Sequence, residues 1–240
     1  MKLASKLVLA AAAVAVSAPL ASASVILAQW NFNQSASMPV PNPYPTAVGS
    51  GTLSLIGGVT VTLASGTANG GSTDPVNTTP PNYGYNVTTF PAQGTNDRTA
   101  GIQALVSTVG YLDIQLRWDQ RHSNTAARHV QVQYTIDGVN FTDIGPLFVG
   151  TAGDTWFNGR SVDFSAVPGV DNNPNFGIRI VSAFDPGLGN AYVPSNSTST
   201  YASGGTWRFD MLTISGTVIP EPATLGLLAP AVLVLGRRRK

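Results

Sequence analysis

Strict alternation of apolar and polar residues in the middle of the chain constrains the fold more than any other feature. The apolar positions are Leu112, Ile114, Leu116 and Trp118, and the polar positions between them are Asp113, Gln115, Arg117 and Asp119. A period of two places the two sets on opposite faces of a β-strand, so this segment predicts a strand with one buried face. No segment between 24 and 219 shows a convincing period of 3.6 residues over three turns. We therefore expect an all-β domain.

Shorter alternating runs on either side predict further strands. They lie near residues 53–55, 59–63, 102–106, 130–136, 162–164, 176–180 and 207–213. Gly57-Gly58 predicts that the first two of these strands pair with each other. Asp137-Gly138 predicts a hairpin with a type I′ turn, because that turn requires positive φ at both central residues. Stretches rich in Gly, Pro, Asn and Ser at 35–50, 65–100 and 185–206 predict long surface loops.

The number and spacing of these strands favour one architecture. Eight to ten short strands joined by such loops are typical of an antiparallel sandwich. The 196 residues from 24 to 219 are enough for one β domain with its own core and few for two. The sequence therefore predicts a single antiparallel jelly-roll β-sandwich.

The first residues have the order of parts found in a secretory signal peptide. Lys2 and Lys6 precede an apolar run from 7 to 16, and Ala21-Ser22-Ala23 forms the small-x-small pattern that signal peptidase accepts. This run is too short to cross a hydrocarbon layer of roughly 30 Å. We expect an N-terminal signal helix that is cleaved after Ala23. The alternative is a buried N-terminal helix of the core.

The last residues form a second three-part segment. Pro220-Glu221-Pro222 is followed by an almost wholly apolar run from 223 to 235, and the chain ends with Arg237, Arg238, Arg239 and Lys240. Consecutive cations after an apolar run favour the cytoplasmic side of a membrane. We therefore expect a short C-terminal transmembrane helix that the basic tail stops in the inner membrane. The alternative is a final core helix with a solvated tail.

This terminus, IPEPATLGLLAPAVLVLGRRRK, resembles the PEP-CTERM sorting signal of Gram-negative bacteria. The resemblance covers about the last 21 residues and includes the triplet, the apolar run and the basic end in that order. It implies that a membrane-embedded exosortase recognises Pro220, Glu221 and Pro222. It also implies an inner-membrane precursor that later reaches the cell surface or extracellular matrix, in bacteria that make exopolysaccharide.

Segments that cover about half of the region between the two ends resemble the jelly-roll domains of other PEP-CTERM proteins, which are galactose-binding-like or lectin-like sandwiches. The similar segments are Trp30-Asn31-Phe32-Asn33, VQVQYTIDGVNFTDIG, VDFSAVPGVDNNPNFGIRIVSAF and TWRFDMLTISG. Such sandwiches often hold a structural Ca²⁺ between their first and last strands. The resemblance implies oxygen ligands at Asp210, Asn31 and Asn33, since Ca²⁺ binds carboxylate and amide oxygens. The alternative is that Asp210 pairs with Arg208 or faces solvent.

Charge and cysteine content exclude several kinds of site and partner. The chain has no cysteine, which excludes disulfides, thiolate metal sites and cysteine catalysis. Between 24 and 219 it has seven arginines and eleven aspartates but no lysine or glutamate, a net charge of −4. A mildly acidic domain does not attract nucleic acid, so we expect no nucleic-acid partner.

A sugar site in the loops is one candidate binding site. A sugar ring stacks on an exposed aromatic side chain with planar polar groups beside it. Trp156, Tyr192 and Tyr201 lie in segments predicted as loops, and Arg160 is close to Trp156 in sequence. The alternative is that each ring covers the edge of the core, where aromatic residues are more often found.

Catalysis is the weakest of the functional hypotheses. His122 and His129 flank a polar stretch that we interpret as a loop, and a Ser-His-Asp arrangement is defined by geometry rather than by sequence position. The sequence has no nucleophile-elbow, zinc-protease or phosphate-loop motif. We therefore expect no catalytic residues.

The sequence as a whole predicts a non-enzymatic envelope or matrix protein that exosortase sorts and that adheres to or associates with exopolysaccharide. Its processing partners would be signal peptidase and exosortase, and its only predicted cofactor is the structural Ca²⁺. A carbohydrate-binding module with a loop pocket is the first alternative. A secreted hydrolase of unrecognised type is the second.

Overall fold

A computed structural model describes residues 23–33, 39–76 and 81–220. The strands form two antiparallel sheets, so the prediction of an all-β sandwich is confirmed. The predicted signal helix and transmembrane helix lie outside the described residues. Within the described ranges, no helix is both long enough and apolar enough to cross a membrane.

Seven strands form the larger sheet. They are β1 (Ser24–Trp30), β2 (Val48–Gly49), β4 (Thr60–Ser65), β5 (Tyr83–Thr88), β7 (Tyr111–His122), β10 (Thr155–Asp163) and β12 (Trp207–Val218). The order across this sheet is β10-β7-β12-β1-β2. The first residues of β12 also pair with β5, which in turn pairs with β4. β12 therefore lies at the centre of the sheet.

Five strands form the smaller sheet. They are β3 (Thr52–Ile56), β6 (Gly101–Leu105), β8 (His129–Thr135), β9 (Thr142–Val149) and β11 (Gly177–Ala183), in the order β3-β6-β11-β8-β9. The loop between β4 and β5 contains a short 3₁₀ turn, Ala68–Gly70. This loop is the part of the fold outside the strands that matters most for the candidate site.

The core lies between the two sheets and uses the apolar positions that the alternation predicted. In β7 the fully buried inward residues include Ile114, Leu116 and Trp118. The buried indole N–H groups all donate to oxygens: Trp30 to Tyr44 O, Trp118 to Gln120 Oε1 and Trp207 to Ala127 O. A hydrogen bond offsets the cost of removing each indole N–H group from water. These large side chains can therefore be buried at the centre of the sandwich.

The predicted pairing of the strands around Gly57-Gly58 is wrong. β3 belongs to the smaller sheet and β4 to the larger one, so the chain crosses between sheets at these glycines. Both have positive φ, 71° and 80°. A Cβ at position 57 would come within 2.5 Å of the Ala100 Cα. The two glycines thus allow a crossover beside Ala100 rather than a hairpin.

The predicted loops need a further correction. The stretch 65–100 contains β5, in which Tyr83, Tyr85 and Val87 alternate with smaller or polar residues, and 35–50 contains β2. The stretch 185–206 has no strand, as predicted. The hairpin at Asp137-Gly138 exists between β8 and β9, but its connection runs from 136 to 141 and only Gly138 has positive φ. The predicted type I′ turn is therefore wrong.

Candidate functional site

A groove of about 700 Å³ lies on the outer face of the larger sheet. Its floor is formed by β10, β7, β12 and β1. This is the face on which the polar residues of β7 lie, opposite the core. The groove is therefore made from the polar half of the alternating pattern.

Strand register arranges the floor in two rows that run across the strands. The first row consists of Ser161, Arg117, Thr213 and Gln29, each directly opposite the next. The second row consists of Asp163, Gln115, Ser215 and Ile26. Directly opposite residues of antiparallel strands share a face, and neighbouring strands lie about 4.8 Å apart. Each row therefore offers a side chain at about this interval along a line.

Most of these side chains are available to a ligand. Gln115, Arg117 and Ser161 are exposed, whereas Thr213 and Ser215 are half-buried. Gln29 Nε2 donates to Thr213 Oγ1 at 2.9 Å, which fixes one end of the first row. The floor thus combines amide and hydroxyl groups, which can both donate and accept hydrogen bonds, with a guanidinium that only donates.

Two β-bulges lie on either side of Arg117. In β12 the register shifts between Asp210 and Thr213, and Met211 between them has a φ of 48°. In β10 the register shifts next to Gly159, which has a φ of 69°. A Cβ on Gly159 would lie 3.1 Å from the Arg117 guanidinium. Because bulges bend and twist strands, we attribute the local shape of the groove to this pair.

The loop from 66 to 76 closes one end of the groove. Asp119 holds it: Thr73 donates to this carboxylate from N at 2.5 Å and from Oγ1 at 2.7 Å, and Gly159 N donates at 2.7 Å. Ser72 Oγ donates to Asp210 Oδ2 at 2.5 Å. Both aspartates are almost fully buried beneath the loop. Thr73 therefore forms a fixed wall of the groove.

Trp156 has a different role from the sugar platform that we predicted. It lies in β10, is only 9% exposed, and its Nε1 donates to Ala68 O at 2.8 Å. The neighbouring Arg160 points into the sandwich, where Nη1 donates to Gln120 Oε1 at 2.6 Å. Burial lowers the pKa of Arg160 to about 10. Neither residue presents its contact surface to solvent, so this arrangement does not favour the sugar site predicted there.

The two tyrosines predicted as platforms are also covered. Tyr192 and Tyr201 stack on each other with their ring centroids 4.8 Å apart, and both are buried. Tyr192 Oη donates to Asn96 O at 3.0 Å, and Tyr201 Oη donates to Pro91 O at 2.7 Å. Burial raises the pKa of both phenols. These rings join the 91–96 segment to the long loop before β12 instead of binding a ligand.

The predicted Ca²⁺ ligands lie in one region, but their oxygens are occupied. Asp210 accepts from Ser72 Oγ and from Met211 N, and Asn33 Oδ1 accepts from Tyr83 N at 2.7 Å. Asn31 Oδ1 lies 3.4 Å from Asn33 N. Among residues 23–33, 39–76 and 81–220, no group of three His, Cys, Asp or Glu side chains is arranged to hold an ion. The Ca²⁺ site remains a prediction, and this arrangement does not favour it.

The two histidines that we considered for catalysis are buried. His122 ends β7, and its Nδ1 lies 3.0 Å from both Ser195 Oγ and Ala127 O. Both His122 and Ser195 have no exposed surface, and burial lowers the pKa of His122. His129 lies 3.8 Å from Asp185 and is also buried. A substrate cannot reach the His122–Ser195 pair in this conformation.

The predicted processing sites mostly fall outside the described residues. Ala23 and Pro220 are the first and last residues that the structure describes. Ala21, Glu221 and Pro222 and the basic tail from Arg237 to Lys240 lie beyond them. The first and last strands of the domain pair with each other, with Ser24 opposite Thr217, so the two ends of the domain are adjacent. Both predicted processing segments therefore join the domain side by side.

Sequence reasoning missed the groove. The polar face of β7 was visible in the alternation, but its partners Thr213, Ser215 and Gln29 lie about 90 to 100 residues from Arg117 and Gln115 in sequence. Only the pairing of β7 with β12 and of β12 with β1 brings these side chains into rows. A search for exposed aromatic residues could not have found this site, because its floor is formed by polar side chains.

No family model matches this chain, and no curated protein matches it. Among solved structures it is similar to the CBM22-1 xylan-binding domain of Xyn10C from Paenibacillus barcinonensis, with 10% identity, a TM-score of 0.49, and coverage of 84% of this chain and 100% of that domain. It is also similar to the CBM22-1-CBM22-2 tandem domain of the same protein, with 12% identity, a TM-score of 0.48, and coverage of 86% of this chain and 50% of that one. A third similar structure is TmCBM61 in complex with β-1,4-galactotriose, with 9% identity, a TM-score of 0.34, and coverage of 68% of this chain and 86% of that one. At identities this low, the similarity to these three structures concerns only the general fold.

Proposed function

We propose that this protein is exported and that its sandwich binds a polysaccharide along the groove on the larger sheet. The strongest support comes from the two rows of side chains that contain Arg117 and Gln115. Each row spans four strands with side chains at intervals of about 4.8 Å, a spacing close to the length of one sugar unit in an extended chain. A polymer lying along the first row would meet a new polar side chain at each sugar.

The chemistry of the floor supports the same proposal. Sugars carry hydroxyl groups that both donate and accept hydrogen bonds, and Gln115, Ser161 and Ser215 can do either. Ile26, which is 39% exposed, and Met211 provide apolar surface for the C–H faces of a sugar ring. This mixture differs from the predominantly apolar lining of most small-molecule pockets.

The absence of an aromatic platform sets the expected strength of binding. Within the described residues, the lining of the groove includes no Trp, Tyr or Phe. Stacking would otherwise contribute a large share of the contact area. We therefore expect a dissociation constant for one site nearer to about 1 mM than to about 1 µM, with tighter overall attachment where many copies meet one polymer.

Binding to a panel of polysaccharides tests the proposal. We expect full-length protein in a detergent without a sugar headgroup to be retarded in gels that contain its polymer. Gln115→Ala removes a central contact and should weaken retardation several-fold. The matched control is Gln133→Ala, an outward glutamine on β8 of the other sheet. Equal effects of the two changes would contradict the groove as the binding site.

Export and sorting form the second part of the proposal, and the resemblance of residues 220–240 to a PEP-CTERM signal supports them. A reporter fused to this segment should be held in the inner membrane and then be cut near Pro220-Glu221-Pro222 in cells that have an exosortase. Mass spectrometry of the released protein would identify the new C-terminus. Release of the reporter with its basic end intact would contradict sorting but leave polysaccharide binding unaffected.

A further inference from the structure

We propose that the groove selects acidic polysaccharides, with Arg117 pairing with the carboxylate of a uronic acid unit. This rests on the proposed binding of a polysaccharide in the groove and specifies the chemical class of that polymer. It comes from the position of one cation and from the absence of any partner for it among the residues that the structure describes.

Arg117 lies at the centre of the groove rather than at its rim. It belongs to β7, one of the two strands in the middle of the floor, and it stands between Ser161 and Thr213 in the first row. The bulge at Met211 and the bulge at Gly159 lie beside it, one on each neighbouring strand. A polymer that occupies the groove would therefore pass directly over the guanidinium.

Arg117 also differs from every other arginine of the domain. Throughout the described ranges it has no hydrogen bond, ion pair or ring contact, although its side chain is exposed in a built groove. The other six arginines between 24 and 219 all donate to acceptors within the domain. The acceptors are aspartates for Arg98 and Arg121, and amide or carbonyl oxygens for Arg128, Arg160, Arg179 and Arg208. The guanidinium fork of Arg117 is thus free to bind a carboxylate through two hydrogen bonds.

The acidic residues on the same face do not neutralise Arg117. Asp119 uses its carboxylate for the donors of Thr73 and Gly159. Asp163, at the end of the second row, accepts from Ser165 N at 2.8 Å. Asp113 is exposed and four residues away on β7. None of the three forms an ion pair with Arg117, so among its described lining residues the groove presents one available positive charge, despite the net negative charge of the domain.

Polymers that differ only in charge provide the test. The probes are polygalacturonate, alginate and hyaluronan, each compared with the same polymer after its carboxyl groups have been methyl-esterified. We expect full-length protein to bind at least one ionised form about five- to tenfold more tightly than its ester, as for a well-formed arginine–carboxylate pair. This preference should shrink as salt is raised, because the charges are accessible to solvent.

Two variants locate the preference. Arg117→Gln should bind the acid and the ester with equal affinity, so the discrimination between them should disappear. Arg179→Gln, a change of the same type on the outer face of the smaller sheet, should leave the discrimination intact. Equal binding of acids and esters by the unmodified protein would overturn the selection for acidic polymers but not the proposed function. Failure to bind any polysaccharide, charged or neutral, would overturn both.

Discussion

Asp119 and Asp210 lie directly opposite each other on the neighbouring strands β7 and β12, with both side chains almost fully buried beneath the same loop. Opposed carboxylates repel each other when both are ionised. Burial, followed by the charges of Asp74 and Asp119, raises the pKa of Asp210 to about 8, although hydrogen bonds from Ser72 and Met211 act against the shift. At neutral pH Asp210 therefore carries a proton.

Protonation of Asp210 predicts a stability that falls as the pH rises. The folded state keeps this proton up to about pH 8, whereas the unfolded chain releases it near pH 4. Unfolding between these values therefore releases a proton, and the free energy of unfolding decreases by up to about 1.4 kcal/mol per pH unit. Urea unfolding of the unmodified protein and of Asp210→Asn at pH 5, 6.5 and 8 measures this contribution. The variant should show a flatter profile, and identical slopes would rule out a proton on Asp210.

Removal of calcium is expected to leave the protein unchanged. The oxygens of Asp210 and Asn33 already accept hydrogen bonds from Ser72, Met211 and Tyr83, so they have little capacity for a cation. A bound ion would stabilise the folded state by mass action. We expect the same melting temperature in a chelator and in millimolar Ca²⁺. A higher melting temperature with Ca²⁺ that disappears in Asp210→Asn would instead establish the site that the sequence predicted.

Loss of the Asp119 carboxylate should release the wall of the groove. Asp119→Ala removes the acceptor for Thr73 N, Thr73 Oγ1 and Gly159 N, and leaves these donors without a partner. We expect a loss of stability of about 2–4 kcal/mol and faster amide hydrogen exchange at Ser72 and Thr73. Asp113→Ala is the matched control, since Asp113 lies on the same strand but is exposed. Unchanged exchange in the 66–76 loop of Asp119→Ala would show that this carboxylate does not hold the loop.

The crossover between the sheets provides a matched pair of glycine variants. Gly57→Ala places a Cβ about 2.5 Å from Ala100 Cα, and Gly58→Ala meets no atom within 4 Å, although both residues have positive φ. Both changes should cost about 1 kcal/mol for backbone strain, and Gly57→Ala should cost at least about 1 kcal/mol more for the clash. Thermal unfolding of the two variants measures the difference. Equal melting temperatures would contradict the close approach of the crossover to Ala100.

The residues of β7 and β5 show how much of the fold was predictable. The alternation from Leu112 to Asp119 predicted the strand and its inward face, because the period of a strand is a local property. Tyr83, Tyr85 and Val87 carry the same signal in β5, but Gly84 and Asn86 and the surrounding loop-like composition concealed it. The aromatic residues Trp156, Tyr192 and Tyr201 were predicted as exposed platforms, but the structure buries them. Their burial depends on segments distant in sequence, such as the contacts of Trp156 with Ala68 and of Tyr201 with Pro91.

By itself the sequence determined the class of the fold and the polar and apolar faces of strands such as β7, because both follow from the order of neighbouring residues. It also contains the terminal segments on which the predictions of export and sorting depend. Only the tertiary structure decided that β3 and β4 join different sheets, and that Ser161, Arg117, Thr213 and Gln29 form one row. Strand pairing between residues about 40 to nearly 200 positions apart sets these relationships, and the free energy of that pairing depends on the packing of the whole sandwich.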